Sequence, residues 1–393
     1  MLAAEEKKML SGTHRFPKQD QVVYGRPAAE VVAELAKAWG ASRLLVTTTR
    51  SLADGLAAGF AAALGDLCIG VYSQIGAHSP REGVIGGAAE ARRSGADLIV
   101  ALGGGSVIDA TKVMQLCLWA GLERADQLDA YRAGRGVDRV DVTKVPAGIR
   151  FIAVPTTLSA AEFTPFAGVS DPSRHVKEGY THPMLAPRAV VLDPAMTLST
   201  PPDLWASTGM KAVDHAVEQL CHPVRAPYAD ALAADGLKGL AQGLSATKGR
   251  PDDLDARLQC QFGMWLAISG VGSGRGMGVS HAIGHTLGGS YGVPHGITSC
   301  VTLPAVLAWS ARDAIAPQAQ ISALLGYPGP AASAVRELVA GLGLPTDLRS
   351  VGILPKDFQA IAEHTMHDAG VRSNPRPIHG PEDIVEILEL AAG

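Results

Sequence analysis

The sequence predicts a doubly wound, parallel α/β domain over residues 1–195 followed by an all-helical domain over residues 196–393. Three observations carry this reading. The first half alternates short β-like runs with helical stretches, which is the pattern of a sheet covered by helices on both faces. Its strand candidates are continuous apolar runs such as DLIVALGGG at 97–105, as parallel strands buried on two sides require. At PAMTLSTPPD, around 194–203, the texture changes to alanine- and leucine-rich helical pattern with no convincing strand. A chain of 393 residues with 47% hydrophobic and 18% charged residues can bury two medium cores.

The elements follow in order. RLLVTTT (43–49) predicts a strand and SLADGLAAGFAAAL (51–64) a helix. CIGVYSQI (68–75) predicts a second strand, EGVIGGAAEARRSG (82–95) a second helix, and DLIVALGGG the third strand. RFIAVPTT (150–157) and AVVLDP (189–194) repeat the theme. Beyond the proline-rich junction, PYADALAADGLKGLAQGL (227–244) and PAASAVRELVAGLGL (330–344) carry helical periodicity.

Composition narrows the function classes. A net charge of -4 and dispersed Lys and Arg offer no basic stripe for phosphates, so nucleic acid is not expected as a partner. No apolar run approaches the ~20 residues that span a bilayer, and MLAAEEKKMLSGTHRF lacks the apolar core of a signal peptide, so a soluble, cytoplasmic protein without a membrane partner is expected. The five cysteines, Cys68, Cys117, Cys221, Cys260 and Cys300, form no C-x-x-C pair and read as reduced thiols.

ALGGGSVIDATK (101–112) ends a strand with Gly103, Gly104 and Gly105 and places Ser106 as a natural N-cap of the next helix. Such a turn lets backbone approach a ligand, and a helix N-terminus offers unpaired N–H groups to a phosphate, as in a Rossmann-like dinucleotide site. Asp109, on the first turns of that helix, joins the cofactor-binding candidates. So do Thr156, Thr157 and Ser159 of PTTLSAAEFTP (155–165) and Thr48 after the first strand. Each turn taken alone serves equally well as a purely structural device. Thr47, Thr48, Thr49 and Arg50 stand where an acid would bind the adenosine ribose and repel a 2′-phosphate, so NAD(H) or NADP(H) is open.

Histidines concentrate in two segments. GMKAVDHAVE (209–218) sets Lys211 and His215 four apart, and HAIGHTLGGSYGVPHG (281–296) does the same for His281 and His285 before His295. Spacing of four residues puts each pair on one helix face. A lone helical histidine is usually structural, but three or four gathered in two short segments point to a site.

The GGGS turn, the P-T-T turn, the K-x-x-x-H helix and H-x-x-x-H-x-L-G-x-x-x-x-x-P-H-G, in this order, resemble the iron-containing alcohol dehydrogenase superfamily along nearly the whole chain. TTLSAAEFTPFAGVSD (156–171) and SNPRPI (373–378) are similar to its maleylacetate reductase branch, whereas PHGIT (294–298) carries the glycine usual in the alcohol dehydrogenases. The resemblance implies the dehydroquinate synthase-like, iron-alcohol dehydrogenase architecture and NAD(P)H-dependent reduction of a small carbonyl compound or oxoacid. It also implies a homodimer. Family members with a metal hold it on an aspartate and three histidines, which map to His215, His281 and His295, while the aspartate maps to Lys211. An ammonium in place of a carboxylate predicts that no metal is bound. Lys211, His215, His281, His285 and His295 are then the catalytic candidates, with His285 as proton relay beside the nicotinamide. The alternatives are a metal-dependent enzyme with Fe2+ or Zn2+ on His215, His281 and His295, a dehydroquinate synthase-like lyase or cyclase, and a non-catalytic relic.

Overall fold

The computed structural model describes residues 11, 13–133, 148–174, 176–272 and 275–393; the first ten residues, part of the stretch read as lacking a signal peptide, lie outside them. Six strands form one parallel sheet: β1 (Gln21–Tyr24), β2 (Leu44–Thr47), β3 (Cys68–Tyr72), β4 (Leu98–Gly103), β5 (Phe151–Pro155) and, late in the chain, β8 (Ala189–Leu192). Their order across the sheet is β1-β8-β5-β4-β2-β3. A separate antiparallel hairpin, β6 (Phe166–Asp171) and β7 (Val176–Thr181), stands off the sheet.

The residue pattern explains the layering. Every residue of β2, β4, β5 and β8 is buried, whereas the edge strands β1 and β3 are partly exposed. Within β4, Leu98, Val100 and Leu102 enter one core while Ile99 and Ala101 enter the other, because side chains alternate along a strand. The first core lies under α1 (Ala28–Trp39) and α3 (Ala58–Leu64), with the short α2 (Arg50–Leu52) leading into α3. On the opposite face lie α4 (Arg81–Ser94) and α5 (Gly105–Ala120).

The carboxyl-terminal half is helical: α6 (Pro202–Cys221), α7 (Pro227–Gly249), α8 (Leu254–Gly272), α9 (Val279–Tyr291), α10 (His295–Trp309), α11 (Ile315–Leu324), α12 (Ala331–Leu342), α13 (Phe358–Thr365) and α14 (Pro381–Leu390). Among the described residues it contains no strand. The core on the α5 face runs on into this half through Met210, Val213 and Val217 of α6, so the sheet and the helices share one apolar interior. A further core gathers α9, α10, α13 and α14, with α10 contributing Leu303 to one interior and Val301 to the other. No helix is long and apolar enough to cross a membrane.

Two features depart from the sequence reading. Strand β1 and the β6–β7 hairpin were not expected. QVVY is a half-exposed edge that gives no continuous apolar run, and FAGVSD, just beyond the polar turn read at 155–165, alternates in burial. Ser106 is not an N-cap: α5 begins at Gly105, Gly104 takes the cap position in extended conformation, and no side chain caps it.

Candidate active site

At the carboxyl edge of the sheet the two polar turns pack on one another. A methyl group at Gly104 would come within 2.9 Å of both Cγ2 and Oγ1 of Thr157, and one at Gly105 within 3.0 Å of Ser159 Oγ. Glycine is therefore what lets the first turn lie against the second. The hydroxyls of Thr48, Thr157 and Ser159 are buried and have no hydrogen-bond partner among the described residues. Buried hydroxyls left unpaired are costly, and those of Thr157 and Ser159 border an uncapped helix N-terminus suited to an anion. Thr156 takes part through its backbone, accepting from Thr200 Oγ1 at 2.7 Å and donating to Gly103 O at 3.1 Å.

Ser106 and Asp109 both tie α5 to neighbouring segments. Ser106 Oγ accepts from His78 N at 3.1 Å, and Ser79 Oγ donates to Ser106 O at 2.7 Å. His78 and Ser79 are successive non-glycine residues in the left-handed region, with φ of 60° and 55°. Strain of this kind is retained where a neighbouring structure holds the backbone in place. Asp109 accepts from Gly168 N at 3.0 Å and lies 3.4 Å from the buried Lys112 ammonium, tying α5 to the hairpin. Arg50, after β2, donates to Gln74 Oε1 at 3.0 and 2.5 Å, and no acid stands there.

Across the cleft, α6, α9 and the start of α10 bring the histidines together. The His215 and His281 rings stack at 4.9 Å, and those of His285 and His295 at 5.4 Å. His281 lies 6.4 Å from both His285 and His295, centroid to centroid. Its Nδ1 faces Glu218 Oε2 at 2.9 Å and Asp214 Oδ2 at 3.2 Å. Those carboxylates set the tautomer: Nδ1 carries the hydrogen, and Nε2 is buried with no hydrogen-bond partner among the described residues. Glu218 is itself held by the N–H groups of Gly278 (2.7 Å) and Ser280 (2.9 Å), and Asp214 by Ser280 Oγ at 2.9 Å. Half-exposed His285 pairs through Nδ1 with Asp368 at 2.7 Å.

Lys211 is partly buried among these rings. Burial first, then the charge of Lys177, lowers its ammonium to about 8. His295 is pushed well below its usual value by Lys211 and by burial; His215 goes the same way through burial, His281 and Lys211. Burial brings His281 down to about 4. Near neutral pH the cluster is three neutral imidazoles around one cation. Behind them burial lifts Asp214 and Glu218 to about 7 each.

A family model described as "Iron-containing alcohol dehydrogenase" matches residues 19–194, and "Fe-containing alcohol dehydrogenase family, C-terminal" matches residues 205–392. The chain belongs to the iron-containing alcohol dehydrogenase family. Within this family it is 33% identical, over 94% of each chain, to Maleylacetate reductase 2 of Cupriavidus pinatubonensis. The solved structure of maleylacetate reductase from Agrobacterium tumefaciens covers 98% of this chain, is covered to 99%, and shares 29% identity at a TM-score of 0.82. A 1,3-propanediol oxidoreductase structure reaches a TM-score of 0.87 at 27% identity, covering 97% of this chain and 100% of its own. The chain is accordingly an NAD(P)H-dependent oxidoreductase on the maleylacetate reductase-like side of the iron-containing alcohol dehydrogenase family.

Sequence reasoning named the four histidines and Lys211 but missed what orients His281 and His285. Glu218 lies three residues after His215, hence on a neighbouring part of the same helix face, which was a usable signal. Asp368 is separated from His285 by 83 residues, and no local pattern joins them. His78, Ser79 and Lys177 also went unmarked, because only the hairpin and its neighbouring loop bring them to the cleft.

Proposed function

We propose that this protein reduces the carbonyl of a small oxo compound or oxoacid with NAD(P)H in a maleylacetate reductase-like reaction, without a resident metal. The observation that carries the reading is Lys211, a cation near its ionisation point, set among three neutral imidazoles. The nicotinamide cofactor, when bound, supplies the hydride. Gly104, Gly105 and the first amides of α5 would hold its pyrophosphate, with Thr48, Thr157 and Ser159 donating hydroxyls.

Lys211 donates a hydrogen bond to the substrate oxygen, stabilises the negative charge that develops there, and gives up its proton to form the alcohol. A proton donor with a pKa near the working pH suits this task. The neutral amine is reprotonated by way of His285, whose Nδ1 pairs with Asp368 at the open end of the cluster. His281, its tautomer held by Glu218, orients the substrate through Nε2. With a conjugated C=C bond, the same proton would go to carbon instead of oxygen.

The residues present do not fit the family's metal. Its anionic ligand is replaced by Lys211, and Asp214 stands on the Nδ1 side of His281, where with Glu218 it faces that nitrogen and not Nε2. At ~4 Å and an effective dielectric near 20, an ammonium and a divalent ion repel by about 8 kcal/mol. Discharging Lys211 at pH 7 costs only about 1.4 kcal/mol per pKa unit, so a neutral amine is the one route by which Fe2+ or Zn2+ could return to His215, His281 and His295. The test is metal content by mass spectrometry together with activity in EDTA. The native enzyme is expected to hold no stoichiometric iron or zinc and to keep its activity, and Lys211→Asp to gain one metal per chain. One tightly bound metal in the native protein would defeat the metal-free reading.

The absence of an acid after β2 leaves room for a 2′-phosphate beside Arg50. NADPH is expected to be used within ~1000-fold of NADH in kcat/KM, about 4 kcal/mol. A larger preference for NADH would show that another residue excludes the phosphate.

A further inference from the structure

Strand β7 places Lys177 on the outer face of the hairpin, paired with Ser170 and diagonal to Gly168, which itself pairs with Gly179. Two glycines therefore face one another where side chains would otherwise stand. Lys177 uses the space: a methyl group at Gly168 would overlap its side chain near Cε. The Gly168 N–H is fixed on Asp109 at 3.0 Å, so the strand carrying this gap is anchored to the cofactor helix. Lys177 is solvent-exposed, yet its charge acts on Lys211, His295 and His78, all of which border the cleft.

Nearby anions are already engaged. Asp109 is taken by Gly168 and Lys112, and Asp368 by His285. On the other face of the hairpin, Glu178 pairs with Arg81, Arg132 and Arg174. Among the described residues no carboxylate lies within ion-pairing distance of Lys177 or Lys211. Lys177 acts on the Lys211 ammonium more strongly than either Asp109 or Asp214, the carboxylates that offset it, and a bound carboxylate relieves that repulsion.

We propose that Lys177 is the specificity-determining residue for the substrate's charge, binding a carboxylate while Lys211 holds the reacting carbonyl oxygen, and that Gly168 exists to let it reach. The proposal rests on the reductase reading for the role of Lys211. It makes the preferred substrate an oxoacid rather than a neutral ketone or aldehyde, with the hairpin and the helical half each supplying one cation.

The test has a binding arm and a turnover arm, both on the full chain. In calorimetric titration, succinate, which has two carboxylates and no ketone, is expected to bind the wild type more tightly than dimethyl succinate. Lys177→Met should weaken succinate binding at least ~10-fold, and Lys177→Arg by no more than ~3-fold. Gly168→Ala should also weaken it, by displacing a lysine whose charge is unchanged. In NADPH oxidation, the ratio of kcat/KM for a small oxoacid over its methyl ester should fall at least ~10-fold in Lys177→Met. Succinate binding that ignores Lys177→Met, or wild-type turnover equal for acid and ester, would overturn the anion site and leave the reductase reading standing. Succinate binding that depends on Lys177 in an enzyme that oxidises neither NADH nor NADPH with any oxo compound would uphold the anion site and overturn the reductase reading.

Discussion

Lys211→Met is expected to lower kcat for carbonyl reduction by about 10²–10⁴, the range associated with loss of a positioned general acid. The fold should survive. The ammonium is held at about 8 chiefly by burial, so its charged form is disfavoured in the folded protein. A lysine whose folded value lies below its unfolded one carries a penalty that is fully present below about 8 and fades as pH rises beyond it. Removing that charge removes the penalty, and a thermal midpoint at or above wild type at pH 7 is the expected outcome. The pH profile gives the second check. Wild-type reduction should be flat below about 8 and fall as the ammonium loses its proton, while alcohol oxidation, which needs the neutral amine, should rise over the same range. The methionine variant should lose this break. A kcat within ~3-fold of wild type would remove Lys211 from the chemistry.

Gly104→Val is expected to weaken NADPH binding at least ~100-fold, about 2.7 kcal/mol. The added Cβ would meet Thr157 at 2.9 Å and push apart the two turns whose unpaired hydroxyls border the α5 N-terminus. Overpacking of this kind also costs about 1–3 kcal/mol of stability, so the dissociation constant should be measured well below the variant's own midpoint. Ser106→Val is the instructive contrast. A reading of Ser106 as N-cap predicts a damaged helix end, whereas its hydroxyl accepts from His78 N and leaves the helix start untouched. Its effect should therefore be smaller and should pass through the 76–80 loop. Cofactor binding unchanged in Gly104→Val would sink the assignment of this turn.

Most of the sheet was legible because β2, β4, β5 and β8 are buried on both faces, and burial on both faces writes itself as an unbroken apolar run. Strand β1 escaped because an edge strand needs only half of that signature, and it is defined by its register with β8, some 168 residues away at Gln21 and Ala189. The same contrast holds at the site. Lys211 with His215, and His281 with His285, were readable as single-face pairs because helical spacing is a local property of the chain. The carboxylates behind His281, the His285–Asp368 pair, the local partners of Ser106 and Asp109, and the reach of Lys177 over Gly168 were not. By itself the sequence determined the types of the main elements and the cation among the histidines, since periodicity and residue chemistry are local. The tertiary structure alone decided the tautomer, the depressed Lys211 and the second cation whose charge reaches it, because these depend on burial and on neighbours brought together by packing of distant segments.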